Sequence, residues 1–242
     1  MTPIDYDRAS KTYDNTRQAS QRLIECFAGR VKLDARTWVL DFGCGTGNYL
    51  DVVERMFGCR CCGVEPSDGM REVIRKKNPR VDVRQGDHER VPFGDGMFDF
   101  VYMVDVIHHV PDVGAMFKEL WRVMRRGLLC VVTQSHGQIG ERFYNHYFPS
   151  LANTERTRYP RIEVIEAAGE RAGFAHLDNE VLAGEPVMVN EQFVCNVREK
   201  NYSMFRLLDE DEFTQGLELL MRDVGKVFQG AGETLVWFER SR

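Results

Sequence analysis

Residues 38–48, Trp38-Val39-Leu40-Asp41-Phe42-Gly43-Cys44-Gly45-Thr46-Gly47-Asn48, constrain the fold more than any other stretch of this chain. A short β-rich apolar run leads into an acid and glycines at alternate positions, and a helical pattern from Tyr49 to Phe57 follows. Strand, glycine turn and helix in that order form a unit of α/β proteins that holds a ligand at the strand end. Glycine permits tight turns and close approach of a ligand to the main chain. The helix start offers amide N–H groups to anionic atoms. Without its flanks, the same loop would read as an ordinary turn.

The pattern around this unit is an alternation. Strand-like segments at Thr37–Asp41, Arg60–Glu65, Val81–Gln85, Phe98–Met103 and Leu128–Thr133 are separated by helix-like segments at Gly47–Phe57, Asp68–Asn78 and Val113–Arg125. Alternating strands and helices predict a parallel sheet covered on both faces, with ligands beyond the carboxyl ends of the strands. Further on, a helix at Arg161–Ala172 stops at Gly173. A strand near Phe174–Leu182 follows, and the last strand is expected at Thr234–Glu239. Two stretches depart from the alternation. One is His136–Pro160, with its aromatic run Arg142-Phe143-Tyr144-Asn145-His146-Tyr147-Phe148. The other is Asn190–Lys226, mostly helical and most clearly so over Glu210–Val227. Both read as covering elements, a helical cap over residues 136–160 and 190–226.

With 242 residues, 43% hydrophobic and 29% charged, the chain has material for one full α/β core. A net charge of −5 and short basic pairs only, Lys76-Lys77 and Arg125-Arg126, give no support to a nucleic-acid footprint. The pairs read as solvated helix ends. The polar, acid-bearing N-terminus is not a signal peptide, and no apolar run approaches the roughly 18 residues of a membrane span. Seven cysteines, an odd number, fit a cytoplasmic enzyme with free thiols. Cys59, Cys61 and Cys62 fall on the second strand, where alternate side chains point to opposite faces. Core packing is therefore their default role, and no metal is expected.

Glu65 ends the second strand, 24 positions after Asp41. A carboxylate about 20 residues beyond a glycine loop suits a ribose diol. Pro66 and Ser67 also make it an acid at a helix start. Asp87, after Gly86, suits a turn on its own. Met70 suits core packing as well as contact with a flat ring.

Together these stretches carry a resemblance. Val39-Leu40-Asp41-Phe42-Gly43-Cys44-Gly45-Thr46-Gly47 resembles the first motif of class I S-adenosylmethionine-dependent methyltransferases. Gly86-Asp87-His88-Glu89-Arg90-Val91-Pro92-Phe93 resembles their G-D-A-E-x-L-P-F segment, with His88 in place of the more frequent alanine. Phe98 to Asp112, with its His108-His109, resembles their fourth strand and the loop after it. Tyr6-Asp7, Tyr13-Asp14 and Arg17 resemble the lead-in helix of the group. The motifs run from Tyr6 to Thr133, and the C-terminal part is similar to type 11 methyltransferases more loosely.

The resemblance implies a single domain over residues 1–242 with lead-in helices within residues 1–30. The sheet would be Rossmann-like, seven-stranded and mostly parallel, with the last strand antiparallel, helices on both faces and the helical cap. It implies S-adenosylmethionine as cofactor and S-adenosylhomocysteine as product. The cofactor would meet Asp41, Gly43, Cys44, Gly45, Gly47 and Asn48 in the loop, and Glu65 and Pro66 at the ribose. It would meet Met70, Gly86, Asp87 and His88 around the adenine, and the main chain near Met103 with Tyr13 and Arg17 at the methionine part. The reaction would be in-line methyl transfer to a small-molecule acceptor, with His109, Tyr144 and His146 as candidate bases and His108 turned away toward the next helix.

The G-x-G-x-G spacing disfavours a nicotinamide enzyme, whose fingerprint is G-x-G-x-x-G. The absence of a Pro-Pro-Tyr or Pro-Pro-Phe segment after the fourth strand argues against exocyclic nucleobase methylation. A binding protein without turnover and an RNA or protein methyltransferase are the competing readings. No feature of the sequence specifies an oligomer.

Overall fold

A computed structural model describes residues 18–241. Tyr13 and Arg17 lie outside the described residues. In chain order the elements are α1 (Gln21–Arg30), β1 (Trp38–Phe42), α2 (Asn48–Phe57), β2 (Arg60–Val64), α3 (Asp68–Lys77), β3 (Asp82–Arg84) and β4 (Phe98–Val104). Then come α4 (Val113–Val123), β5 (Met124–Thr133), α5 (His136–Gly140), α6 (Leu151–Arg158), α7 (Ile162–Ala172), β6 (Ala175–Leu182) and β7 (Pro186–Met188). The chain closes with α8 (Glu191–Arg198), α9 (Glu210–Arg222), β8 (Val227–Gln229) and β9 (Glu233–Arg240).

Seven strands form one sheet in the order β3-β2-β1-β4-β5-β9-β6. The first five pair in parallel, and β9 runs antiparallel to both β5 and β6. The expected mostly parallel sheet with an antiparallel last strand is therefore what the chain adopts. Its central strands alternate between two cores, as a pleated strand buried on both faces must. Leu40, Val101, Met103, Leu129, Val131, Val236 and Phe238 join α4 and α7 on one side. Val39, Phe100, Tyr102, Cys130, Val132, Leu235 and Trp237 join α1, α2 and α3 on the other. Cys59 and Cys61 pack in the second core and Cys62 in the first, so the cysteine cluster is split between the two faces.

The helix ends follow local chemistry. Ser20, Ser67 and Asp112 cap α1, α3 and α4 by accepting the amides of Leu23, Met70 and Ala115. Arg75, Lys76 and Lys77 fill the last turn of α3, where cations meet the negative end of the helix dipole. Gly173, with φ +109°, terminates α7.

Residues beyond β5 build a second layer with its own apolar core. Tyr147, Phe148 and Leu151 from one stretch pack with Val194, Val197, Phe205, Phe213 and Leu220 from another. Phe148 is fully buried, with its ring centroid 5.0 Å from that of Phe205.

Most boundaries lie within two residues of the sequence reading, and the larger departures are near residues 123–128 and 222–229. The helix expected to reach Arg125 stops at Val123, and β5 begins at Met124 rather than Leu128. Arg125 lies on that strand and pairs with Asp99 of β4, so Arg125-Arg126 is not a solvated helix end. The helix expected to reach Val227 stops at Arg222, and Val227–Gln229 pairs with Pro186–Met188 as a separate two-stranded sheet.

Two glycines should respond oppositely to alanine. Gly29, exposed near the end of α1, has open space where a Cβ would stand. Gly29→Ala should stabilise the fold by about 0.5 kcal/mol. A Cβ at Gly169 on α7 would come within 2.4 Å of the Phe238 ring. Gly169→Ala should destabilise by about 1–3 kcal/mol. Urea unfolding of the purified variants measures both, and equal effects would contradict the packing of α7 on β9.

Candidate functional site

The strand order reverses between β1 and β4, so the loops after these strands part and leave a crevice at their carboxyl ends. The loop after β1 takes its shape from Gly43, Gly45 and Gly47, with φ values of +76°, +53° and +73°. Space as well as φ demands glycine at two of them. A Cβ on Gly43 would fall 2.6 Å from the Val106 side chain, and one on Gly47 would fall 2.1 Å from Ile74. The loop amides already have partners. Gly43 and Cys44 both donate to the Val64 carbonyl, at 2.8 and 3.1 Å, and Gly47 donates to Cys44 at 2.8 Å. Gly45 donates to Glu65 Oε2 at 3.0 Å. These four loop amides are consumed by the protein, and none of them is one of the helix-start amides to which the sequence reading pointed.

Two buried acids face this crevice region. Glu65 is 7% exposed, and its Oε1 accepts the Ser67 amide at 2.9 Å while Oε2 holds Gly45. It therefore serves the start of α3. Its own carbonyl accepts Arg71 Nη1 at 2.5 Å, which fixes the strand end. Asp41 is 3% exposed, and burial pushes its carboxyl up to about 8. The nearby Tyr102 hydroxyl counters that rise and the Glu65 charge adds to it. A carboxylate so placed is costly without a cation or donors beside it. An amino-acid ammonium, a sulfonium and a ribose diol are groups these two acids would satisfy. The residues therefore fit an adenosyl sulfonium, and they do not fit a phosphate.

The other expected contact residues divide. Cys44 packs in the core with its thiol pushed well up by burial, so only its main chain borders the loop. Asn48 Oδ1 accepts Lys77 Nζ at 2.5 Å, tying α2 to α3. Pro66 is exposed and Met70 is buried at 1%. Asp87 Oδ1 accepts the amides of Glu89 and Arg90 at 2.8 and 3.1 Å, the turn role open to it, while Gly86 and His88 are half-buried. Met103 is fully buried on β4, two residues before Asp105. Asp105 takes left-handed backbone, φ +56°, a conformation that aspartate tolerates better than most residues.

A cavity of about 270 Å³ lies between this edge of the sheet and the second layer. Its floor comes from Asp105, His108 and His109 after β4, Gln134 after β5, and Glu233 at the start of β9. Its walls are Phe143, Tyr144, Tyr159, Phe193 and Tyr202. His109 and Tyr144 thus meet in one cavity, with His109 exposed at the rim. His146 does not join them. It is exposed and lines an outer depression with Tyr147 and Glu212. The 3-10 turn over Phe143–His146 sends Tyr144 inward and His146 out. His108 also departs from expectation. It stacks on Tyr159 at 4.1 Å and 11° in the cavity lining, and the side-chain cap of α4 is Asp112.

Cavity residues not foreseen as functional include Asp105, Gln134, Arg142, Glu155 and Arg206. Arg142 is 9% exposed. It donates through Nε to Gln134 at 2.6 Å and through Nη1 to Glu155 at 2.9 Å, with its guanidinium over the rings of Tyr144 and Tyr159. The aromatic run around Arg142 was the available signal, because a cation inside such a run calls for a partner.

Comparison with known proteins places these features. Residues 40–132 match a family model described as a methyltransferase domain. The chain is 30% identical over 116 residues to a sarcosine/dimethylglycine N-methyltransferase of Halorhodospira halochloris, covering 45% of this chain and 43% of that protein. It is 28% identical over 156 residues to a malonyl-[acyl-carrier protein] O-methyltransferase of Serratia marcescens, covering 60% and 61%. The chain thus spans less than two thirds of either relative. A crystal structure from Anabaena variabilis, assigned as a methyltransferase of an antibiotic biosynthesis pathway, superposes with a TM-score of 0.73. At 20% identity, over 92% of this chain and 98% of that one, it shows a shared fold.

The raised carboxyl of Asp41 makes stability pH-dependent. Folded Asp41 keeps its proton up to about pH 8, whereas an unfolded aspartate loses it near pH 4. Its contribution to stability is therefore full below about pH 4 and is lost as pH rises toward about 8. Asp41→Asn removes this loss. The melting temperature of the variant relative to the parent should rise by a few degrees between pH 5.5 and 8.5 in thermal scans without ligand. A difference independent of pH would contradict the buried setting of Asp41.

Proposed function

We infer that this chain, which belongs to the class I S-adenosylmethionine-dependent methyltransferase superfamily, transfers a methyl group to a small-molecule acceptor seated in the cavity beneath the second layer. The observation that carries this reading is one juxtaposition. Gly43 of the loop after β1 stands against Val106, whose chain neighbour Asp105 lines the aromatic cavity after β4 and β5. A volume of about 270 Å³ suits a metabolite rather than a folded protein or an RNA helix.

Glu65 is placed to accept from the ribose hydroxyls, and Asp41 to face the positive charge of the amino-acid end. S-adenosylmethionine, when bound, supplies a methyl carbon on a positively charged sulfur open to in-line attack. The protein's own work is then alignment and proton management. Phe143, Tyr144, Tyr159, Phe193 and Tyr202 fix the acceptor plane and exclude water. His109, at the rim, takes a proton from an acceptor that begins protonated, since imidazole titrates near neutral pH. Asp105, on the same loop, offers a carboxylate that orients a donor on the acceptor. Seven free thiols suit a reducing compartment.

Calorimetry with S-adenosylhomocysteine should show binding, and transfer of a labelled methyl group to a metabolite panel should show turnover. Binding without transfer to any member would favour a non-catalytic role. Glu65→Ala should weaken the product complex by about 1.5–3 kcal/mol, through loss of charged hydrogen bonds. A parent-like dissociation constant would refute the ribose assignment. His109→Gln should lower kcat by about 10²-fold with little change in cofactor affinity, and an unchanged kcat would remove His109 as the base.

A further inference from the structure

We propose that the acceptor carries a carboxylate, bound by Arg142 and Arg206 on the second-layer side of the cavity, with its methylated atom toward the sheet floor. This rests on the methyl-transfer reading above and adds the chemical class of the acceptor.

The case begins with charge. Glu155 is 3% exposed and accepts both Arg142 Nη1, at 2.9 Å, and Arg158 Nη1, at 2.5 Å. The two arginine side chains are 9% and 10% exposed. One buried carboxylate therefore serves two buried guanidiniums, and among the described residues one positive charge in the cluster has no ion-pair partner of its own. A charge held away from water is expensive unless another group pairs with it. Arg158 does not border the cavity, whereas Arg142 does.

Geometry then aims Arg142 at the cavity. Its Nε is held by Gln134 and its Nη1 by Glu155. The rings of Tyr144 and Tyr159, with centroids 5.8 and 5.1 Å from its central carbon, fix the plane. No carboxylate reaches Nη2 among the described residues. A guanidinium fixed through Nε and Nη1 is left with Nη2 as the nitrogen that can donate to an oxyanion.

Arg206 brings a second cation to the same cavity. It stands on the 3-10 segment Ser203–Leu207 and donates through Nε to the Lys200 carbonyl at 2.8 Å. It forms no ion pair with any described residue, whereas neighbouring Lys200 is paired with Glu210. Both cavity arginines come from the second layer. The remaining cavity acids, Asp105 and Glu233, come from the sheet side. An acidic acceptor is therefore drawn in one orientation only, with its anion away from the floor where His109 and Asp105 stand.

The test uses the full chain saturated with S-adenosylhomocysteine. The probes are benzoate and phenylacetate, single rings suited to the aromatic walls, against their neutral amides benzamide and phenylacetamide. The parent should bind the acids at least about tenfold more tightly than the amides. Arg142→Gln should reduce that preference to under threefold, and Arg206→Gln should reduce it in part. Raising KCl from 50 to 500 mM should weaken acid binding and leave amide binding unchanged. Should Arg142→Gln fail to fold, Arg206→Gln and the salt series decide the matter. Amides binding as tightly as acids would overturn the proposal, as would no detectable binding of either acid at 20 mM. A preference that survives both substitutions and salt would do the same. Affinity for S-adenosylhomocysteine is read separately. Its absence would remove the methyl-transfer reading while leaving the acid preference to stand or fall by itself.

Discussion

A single carboxylate, that of Glu65, clasps two backbone amides and so joins three pieces of the fold. Its oxygens hold Gly45 in the loop after β1 and Ser67 at the start of α3, while the Val64 carbonyl holds Gly43 and Cys44. Without these bonds the loop would have no reason to keep three left-handed residues in a row of five. A buried acid is tolerated because charged hydrogen bonds compensate its lost hydration. The shape of the crevice, the entry angle of α3 and the position of Asp41 all follow from this clasp.

The molecule separates rigidity from choice. The sheet alternates its side chains between two cores, and that leaves no freedom at the strand ends. The second layer has its own aromatic core of Phe148, Phe205, Phe213 and their neighbours, built from stretches on either side of α7 and β6. Both guanidiniums that line the cavity between them come from the second layer, while Asp105 and Glu233 stand on the sheet side and Glu155 pairs with Arg142.

Most of the sheet was legible because its cause is local. The alternation of apolar residues, the glycines and the capping Ser67 and Asp112 lie within a few positions of what they determine. The misjudged boundaries have distant causes. Arg125 joins β5 because Asp99 of the neighbouring strand takes its charge, and a helix pattern from Val113 onward gives no hint of that. Val227–Gln229 is too short to declare itself and becomes a strand only against Pro186–Met188. At the site, Glu65 and the glycines were readable as a motif. His108 was misplaced because its direction is set by Tyr159, far along the chain. Arg142 was passed over because its partners, Gln134 and Glu155, sit on separate elements.

The four loop amides that the protein keeps for itself bear on competition inside a cell. Adenine arrives there mainly attached to phosphates, and a nucleotide-binding loop captures those phosphates with unspent N–H groups. Here those four groups are occupied, and the carboxylate beside them, that of Glu65, repels a phosphate, while Asp41 is held protonated by its burial. The loop thus meets the phosphates of a nucleotide with no donor from these four residues and with a carboxylate beside them, an arrangement unfavourable to ATP and its kin.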